Sequence, residues 1–219
     1  MRKNLFAGLL AAGLVATLGL AACGQTGATA SDTPMDDTSQ SASEASDEQV
    51  TEPATDGAAY GYAGTNPIEA SVYKYMAEEV SKNYDKADVS IPIVQIVHDD
   101  DSNPDAVLVA GDFWINNYDI AGDTLECVSG GNYPGVMHVS KDGDSYAVTS
   151  FDVVADGSDF DASAQKLFGE YYEDFMKVYG DADTREELRT AIVSDYVKLN
   201  GLEVTQYQDY GWDPVQLNK

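Results

Sequence analysis

Positive charge is scarce in this chain. Twelve lysines and arginines stand against 38 acids over 219 residues, a formal net charge of −26. Nucleic acids and anionic lipid surfaces are held by basic faces, so the balance argues against DNA, RNA or acidic lipid as partners. It permits cations, basic peptides and neutral ligands, and it suits a solvated acidic surface. The motifs of familiar chemistries are also missing. The chain has no glycine-rich phosphate loop, no dinucleotide fingerprint and no zinc-type cysteine spacing. Ser129-Gly130-Gly131 does not supply the G-x-S-x-G of a nucleophile elbow. Carboxylates are so numerous that no two stand out as a glycosidase pair.

What is present begins at the N-terminus. Arg2 and Lys3 precede an apolar run that continues to Leu20. A charged start followed by an apolar stretch is the pattern of a secretory signal. The stretch is about 16 residues, short of the roughly 20 that a membrane-spanning helix needs. It ends in Leu20-Ala21-Ala22-Cys23, which resembles a lipobox, the processing site of bacterial lipoproteins. That resemblance implies cleavage before Cys23 and a diacylglyceryl group on its thiol, with palmitate-type acyl chains holding the protein on the outer face of the cell membrane or another envelope membrane. Two chains meet the requirement for stable anchoring, which one acyl group alone does not. Residues 1–22 are thus expected to be a signal peptide.

Residues 23–60 change character. Ser, Thr, Ala, Gly, Asp and Glu dominate, and the segment has eight acids and no base. Such a chain cannot bury enough apolar surface to offset the entropy of ordering. It reads as a disordered, self-repelling linker between the lipid and a folded domain over 61–219. Without the signal and the linker, 30 acids and 10 bases remain, a net charge of −20 on the domain. With Cys23 given to the lipid, Cys127 has no intrachain partner and the mature form has no internal disulfide.

The domain pattern predicts α+β. Asn66-Pro67-Ile68-Glu69 starts a helix that runs to about Asn83, with Ile68, Val72, Met76 and Val80 on one face. Five strands follow, over about 90–97, 106–118, 124–128, 135–139 and 145–154, and Pro92 marks the first as an edge strand. Their short connections, with Asp142-Gly143 as a two-residue turn, predict an antiparallel meander. Two C-terminal helices come next. Asp161 would cap the first, and Thr184 with Glu187 would form the capping box of the second, closed by Gly201. The aromatic tail, with Tyr207, Tyr210 and Trp212, is expected to pack on the body. In element order this is loosely similar to cystatin-like and NTF2-like folds, which implies helices on one face of a curved sheet. Fold alone would not fix function.

Three candidate sites emerge. If the Gly130-Gly131-Asn132-Tyr133-Pro134-Gly135 stretch is a hairpin centred between Asn132 and Tyr133, Cys127 and His138 become cross-strand neighbours. A histidine beside a thiol could make a nucleophile for a hydrolase or transferase. A slip of one residue separates them, and a buried structural thiol is the plainer reading. Asp99, Asp101, Asn103 and Asp105 place oxygens at alternate positions, as in a calcium loop. Pro104 and Ala110 stand where an EF-hand needs Gly and Glu, so a solvated loop is preferred over a calcium site. Finally, 14 tyrosines with Trp114 and Trp212 could line a groove for a small molecule, a glycan or a peptide, although most fall on core positions. The favoured expectation is a non-catalytic, membrane-anchored extracytoplasmic lipoprotein that binds a ligand or partner.

Overall fold

The computed structural model describes residues 58–218. The expected signal peptide, Cys23 and the linker up to residue 57 lie outside the described residues. Residues 58–60, the last of the expected linker, form a short 3-10 helix, and Tyr60 packs partly buried against the core. The folded body therefore begins a few residues earlier than composition suggests.

Helix α1 (Pro67–Glu78) starts as its sequence dictates. Asn66 accepts from Ile68 N at 2.9 Å and from Glu69 N at 3.4 Å, and Pro67 occupies the first position. The α-helix stops one turn early and continues as a 3-10 turn over Val80–Asn83.

Five strands follow: β1 (Val89–Asp100), β2 (Val107–Ala121), β3 (Thr124–Asn132), β4 (Gly135–Asp142) and β5 (Ser145–Val153). Strand β1 pairs only with β2 among the described residues, as Pro92 foretold. The meander holds for β1–β2–β3 and again for β4–β5, where the two-residue turn is Gly143-Asp144 with Gly143 at φ 63. Between β3 and β4 the expectation fails. There is no hairpin. Both strands run antiparallel to β2 along the same edge, β3 beside 114–121 and β4 beside 107–111. They form one long strand interrupted at Tyr133-Pro134, where proline has no N–H for the ladder. The glycines that read as turn residues instead serve close approach. A Cβ on Gly130 would lie 2.6 Å from Ile115 O, and one on Gly135 would lie 2.2 Å from Asp152 O.

The tail supplies two further strands. β6 (Gln206–Asp209) runs parallel to β3, and β7 (Val215–Gln216) pairs with β6. The fold is thus α+β, with a mixed seven-stranded sheet among the described residues. Tyr207 is buried as expected, but Tyr210 and Trp212 stand 98% and 75% exposed.

The expected single helix after β5 is two, α2 (Phe160–Phe168) and α3 (Tyr172–Gly180), broken where Gly169 takes φ 55. Asp161 does not cap; it sits in the first turn and accepts from Tyr172 Oη and Gln165 Nε2. Helix α4 (Ala182–Leu199) begins one turn before the expected capping box, with Asp181 accepting from Thr184 N at 3.0 Å. Gly201 takes φ 62 just past the helix end, as expected.

Helices lie on both faces of the sheet, not one. Val107, Val109, Phe113 and Ile115 of β2 join Val72 and Met76 of α1 in the main core. Ala110, one residue out of that alternation, joins Phe168 of α2 and Phe175 of α3. Arg185 of α4 lies over Trp114, on this second face. Burying each large side chain such as Phe113 or Ile115 is worth about 1.5–3 kcal/mol.

Candidate functional site

The two arginines of the domain, Arg185 and Arg189, stand one turn apart on α4. Residues four apart share a helix face, and this face meets the sheet. Arg189 is nearly buried. Its Nη1 and Nη2 donate to the two carboxylate oxygens of Asp209 at 2.8 and 2.6 Å, and Nε and Nη2 donate to Tyr118 Oη at 3.1 and 3.0 Å. The guanidinium also lies 4.6 Å from the Tyr207 ring centroid. A forked pair of this kind fixes direction as well as charge. It ties α4 to β2 and to the tail strand β6. Hydrogen bonds from Arg189 hold the Asp209 carboxyl below its usual range. Burial opposes the guanidinium's charge, yet Asp209 and Tyr118 keep it protonated.

Arg185 is used more lightly. Its Nη1 donates to Tyr179 O at 3.3 Å and stands 3.9 Å from Asp112 Oδ2. Asp112 is 1% exposed and accepts from Asn132 Nδ2 and Trp114 Nε1. Burial pushes its carboxyl up, against those bonds and the Arg185 charge. Gln95, its cross-strand neighbour on β1, has a buried Oε1 with no partner.

Cys127 lies in β3 between Tyr118 of β2 and Asp209 of β6. Its Sγ donates toward Ser129 O at 3.6 Å. Burial, with the Asp209 charge beside it, pushes the thiol up to about 11. At neutral pH it stays protonated and is a poor nucleophile. His138 lies in β4 opposite Leu108 and Ser150, with Nε2 3.0 Å from Asp152 Oδ2. Tyr118 and Leu108, the β2 partners of Cys127 and His138, are ten residues apart on one strand, roughly 33 Å at ~3.3 Å per residue. The collinear β3–β4 arrangement therefore separates the pair that a hairpin would have joined.

Asp99, Asp101, Asn103 and Asp105 span the end of β1 and the turn that follows it. Asp99 is within β1, and Asn103 Oδ1 accepts from Asp105 N at 3.1 Å, an ordinary turn contact. Among the described residues no three His, Cys, Asp or Glu side chains gather as metal ligands. No helix of the described residues is long and apolar enough to cross a membrane.

Beside Cys127 opens a groove of about 390 Å3, lined by Glu126, Cys127, Val128, Gln208, Asp209 and Tyr210. Its rim is the turn after β6, where Gly211 takes φ 82 and lets Tyr210 and Trp212 project. A smaller cavity of about 110 Å3 lies under α4. Sequence reasoning missed Arg189, Asp209 and Asp112. The signal for the arginines was available: both bases of that type in the domain fall four residues apart on one helix. Asp112 and Asp209 carried none, being two acids among many.

Comparison with protein-family models, curated proteins and solved structures finds no match.

Proposed function

We propose that this protein is a lipid-anchored, extracytoplasmic binding protein whose domain holds a neutral or amine-bearing glycan along the β3–β6 groove. The observation that carries this reading is the exposure of Tyr210 on the wall of that groove, with exposed Trp212 in the same turn. Large rings left in water lose burial energy, and their flat faces suit the apolar faces of sugars. Glu126, Gln208 and Asp209 line the groove with hydrogen-bonding groups for hydroxyls and amines. The domain's negative charge disfavours an anionic glycan. The anchor rests on Leu20-Ala21-Ala22-Cys23, and the acidic segment after it would serve as the spacer.

Two experiments test the two halves. Expressed in a bacterial host, the chain should take up labelled palmitate and stay with the membrane fraction, and Cys23→Ser should abolish the label. Label retained by the Ser variant would sink the anchor. The mature Cys23→Ser chain, titrated with neutral, amine-bearing and anionic oligosaccharides, should bind the first two, and Trp212→Ala should weaken binding at least tenfold, about 1.4 kcal/mol. Equal affinity of the Trp212→Ala chain would remove the glycan reading.

A further inference from the structure

The geometry points to a second, separate site: the cavity under α4 binds a small α-amino acid, held as its zwitterion. The cavity is about 110 Å3 and is lined by Ile93, Trp114, Asn116, Arg185, Glu186 and Arg189. At roughly 30 Å3 per water molecule it holds about four, the bulk of glycine, alanine or serine.

Three observations set the ligand chemistry. Asn116 is 8% exposed and lines the cavity, and its side-chain amide, which makes none of the hydrogen bonds described above, keeps its accessible surface there. An amide whose donors and acceptor are open to the cavity is free to bond what enters it. Arg185 engages only Nη1 in the contacts described above, so Nε and Nη2 retain donors. Arg and an amide together fit a carboxylate. Glu186 supplies the opposite charge on the same wall. Its Oε1 accepts from Tyr207 Oη and its Oε2 stands 3.7 Å from Arg189 Nη1, which leaves acceptor positions on both oxygens for an ammonium. A bare anion would meet Glu186, and a bare cation would meet Arg185. A molecule carrying both charges satisfies the wall. Ile93 and the Trp114 ring line the same cavity and suit a small apolar side chain.

This inference does not rest on the glycan reading, since the cavity and the surface groove share no lining residue. The test is calorimetric titration of the mature Cys23→Ser chain with glycine, alanine and serine, and with acetate, methylammonium and phenylalanine as controls. A small amino acid should bind at least tenfold more tightly than acetate or methylammonium, and phenylalanine should not bind. Asn116→Ala should weaken alanine binding at least tenfold. Glu186→Gln should weaken alanine binding while leaving acetate no weaker, since it removes a negative charge that opposes an anion. Thermal unfolding of each variant confirms that it is folded, and Arg185 is left intact because its loss disturbs Asp112. The proposal is overturned if glycine, alanine and serine all fail to bind at about 10 mM, tenfold above a millimolar Kd. It is equally overturned if acetate matches alanine, or if both folded variants bind alanine as the parent does.

Discussion

Arg185 and Arg189 sit one turn apart on the same helix face, and the structure treats them in opposite ways. Every nitrogen of Arg189 is engaged, by Asp209 and Tyr118, and a ring covers it. Arg185 has one backbone bond, a distant carboxylate and the face of Trp114. One guanidinium closes a junction between three parts of the chain. The other keeps donors in reserve beside a cavity. Saturation of hydrogen bonds, more than burial or charge, separates a structural arginine from one available to a ligand.

The comparison can be broken most directly by removing each arginine. Arg189→Met strands Asp209 and the Tyr118 hydroxyl and should cost about 2–3 kcal/mol in urea unfolding. Asp209 is partly solvated, which keeps the loss below that of a fully buried pair. Arg189→Lys should recover less than half of it, since an ammonium lacks the fork. Arg185→Met should cost only about 0.5–1 kcal/mol, the worth of one cation–ring contact and a weak ion pair. Equal losses from the two substitutions would erase the distinction.

The two aspartates sharpen it through pH. Asp209 is depressed in the folded state, so its contribution to stability is present above its unfolded value and is lost as pH falls through the folded one. Asp112 is raised, so its contribution is full below its unfolded value and is lost as pH rises through the raised one. In melting temperatures taken from pH 3 to 7, Asp209→Asn should flatten the acid-side fall, and Asp112→Asn should flatten a decline of opposite sign at higher pH. Matching profiles for the two variants would contradict the assignment. The smallest effect concerns Cys127. With its thiol pushed up to about 11, roughly one molecule in a thousand is thiolate at pH 8, against about a quarter for an unperturbed thiol at ~8.5. Alkylation should be slow at pH 8 and should accelerate in Asp209→Asn, which removes the neighbouring negative charge. Reaction at the rate of a free thiol would show Cys127 to be unburied.

Legibility in the sequence followed the range of the interactions. The start of α1 was readable because Asn66, Pro67 and Glu69 act within one turn. Edge strand β1 was readable from Pro92 alone. The β3–β4 junction was not, because a Gly- and Pro-rich stretch is compatible both with a turn and with two strands crowding a third. Only the partner strand decides between them, and β2, at Val107–Ala121, is long enough to take both. That one ambiguity carried the Cys127–His138 pairing with it. The break at Gly169 was hidden by a continuous aromatic stripe. The tail strands were hidden by length: β6 has four residues and β7 two, too few to show a period.

The parallel pairing of β6 with β3 has a consequence in time. Gln206 meets Thr124 across 82 residues of chain, and contacts so distant in sequence form late, after the local hairpins. Synthesis runs toward the C-terminus, so β6, the strand that completes the groove, is made after β2, β3 and α4. Until it arrives, Arg189 has Tyr118 and the more distant Glu186 carboxylate but not the fork to Asp209, and Cys127 has a bare edge beside it. An unfinished or C-terminally clipped molecule would keep much of its core yet lack both the groove and the lock on α4. Arrival of β6 therefore completes two features at once, the wall of the groove and the fork on Arg189.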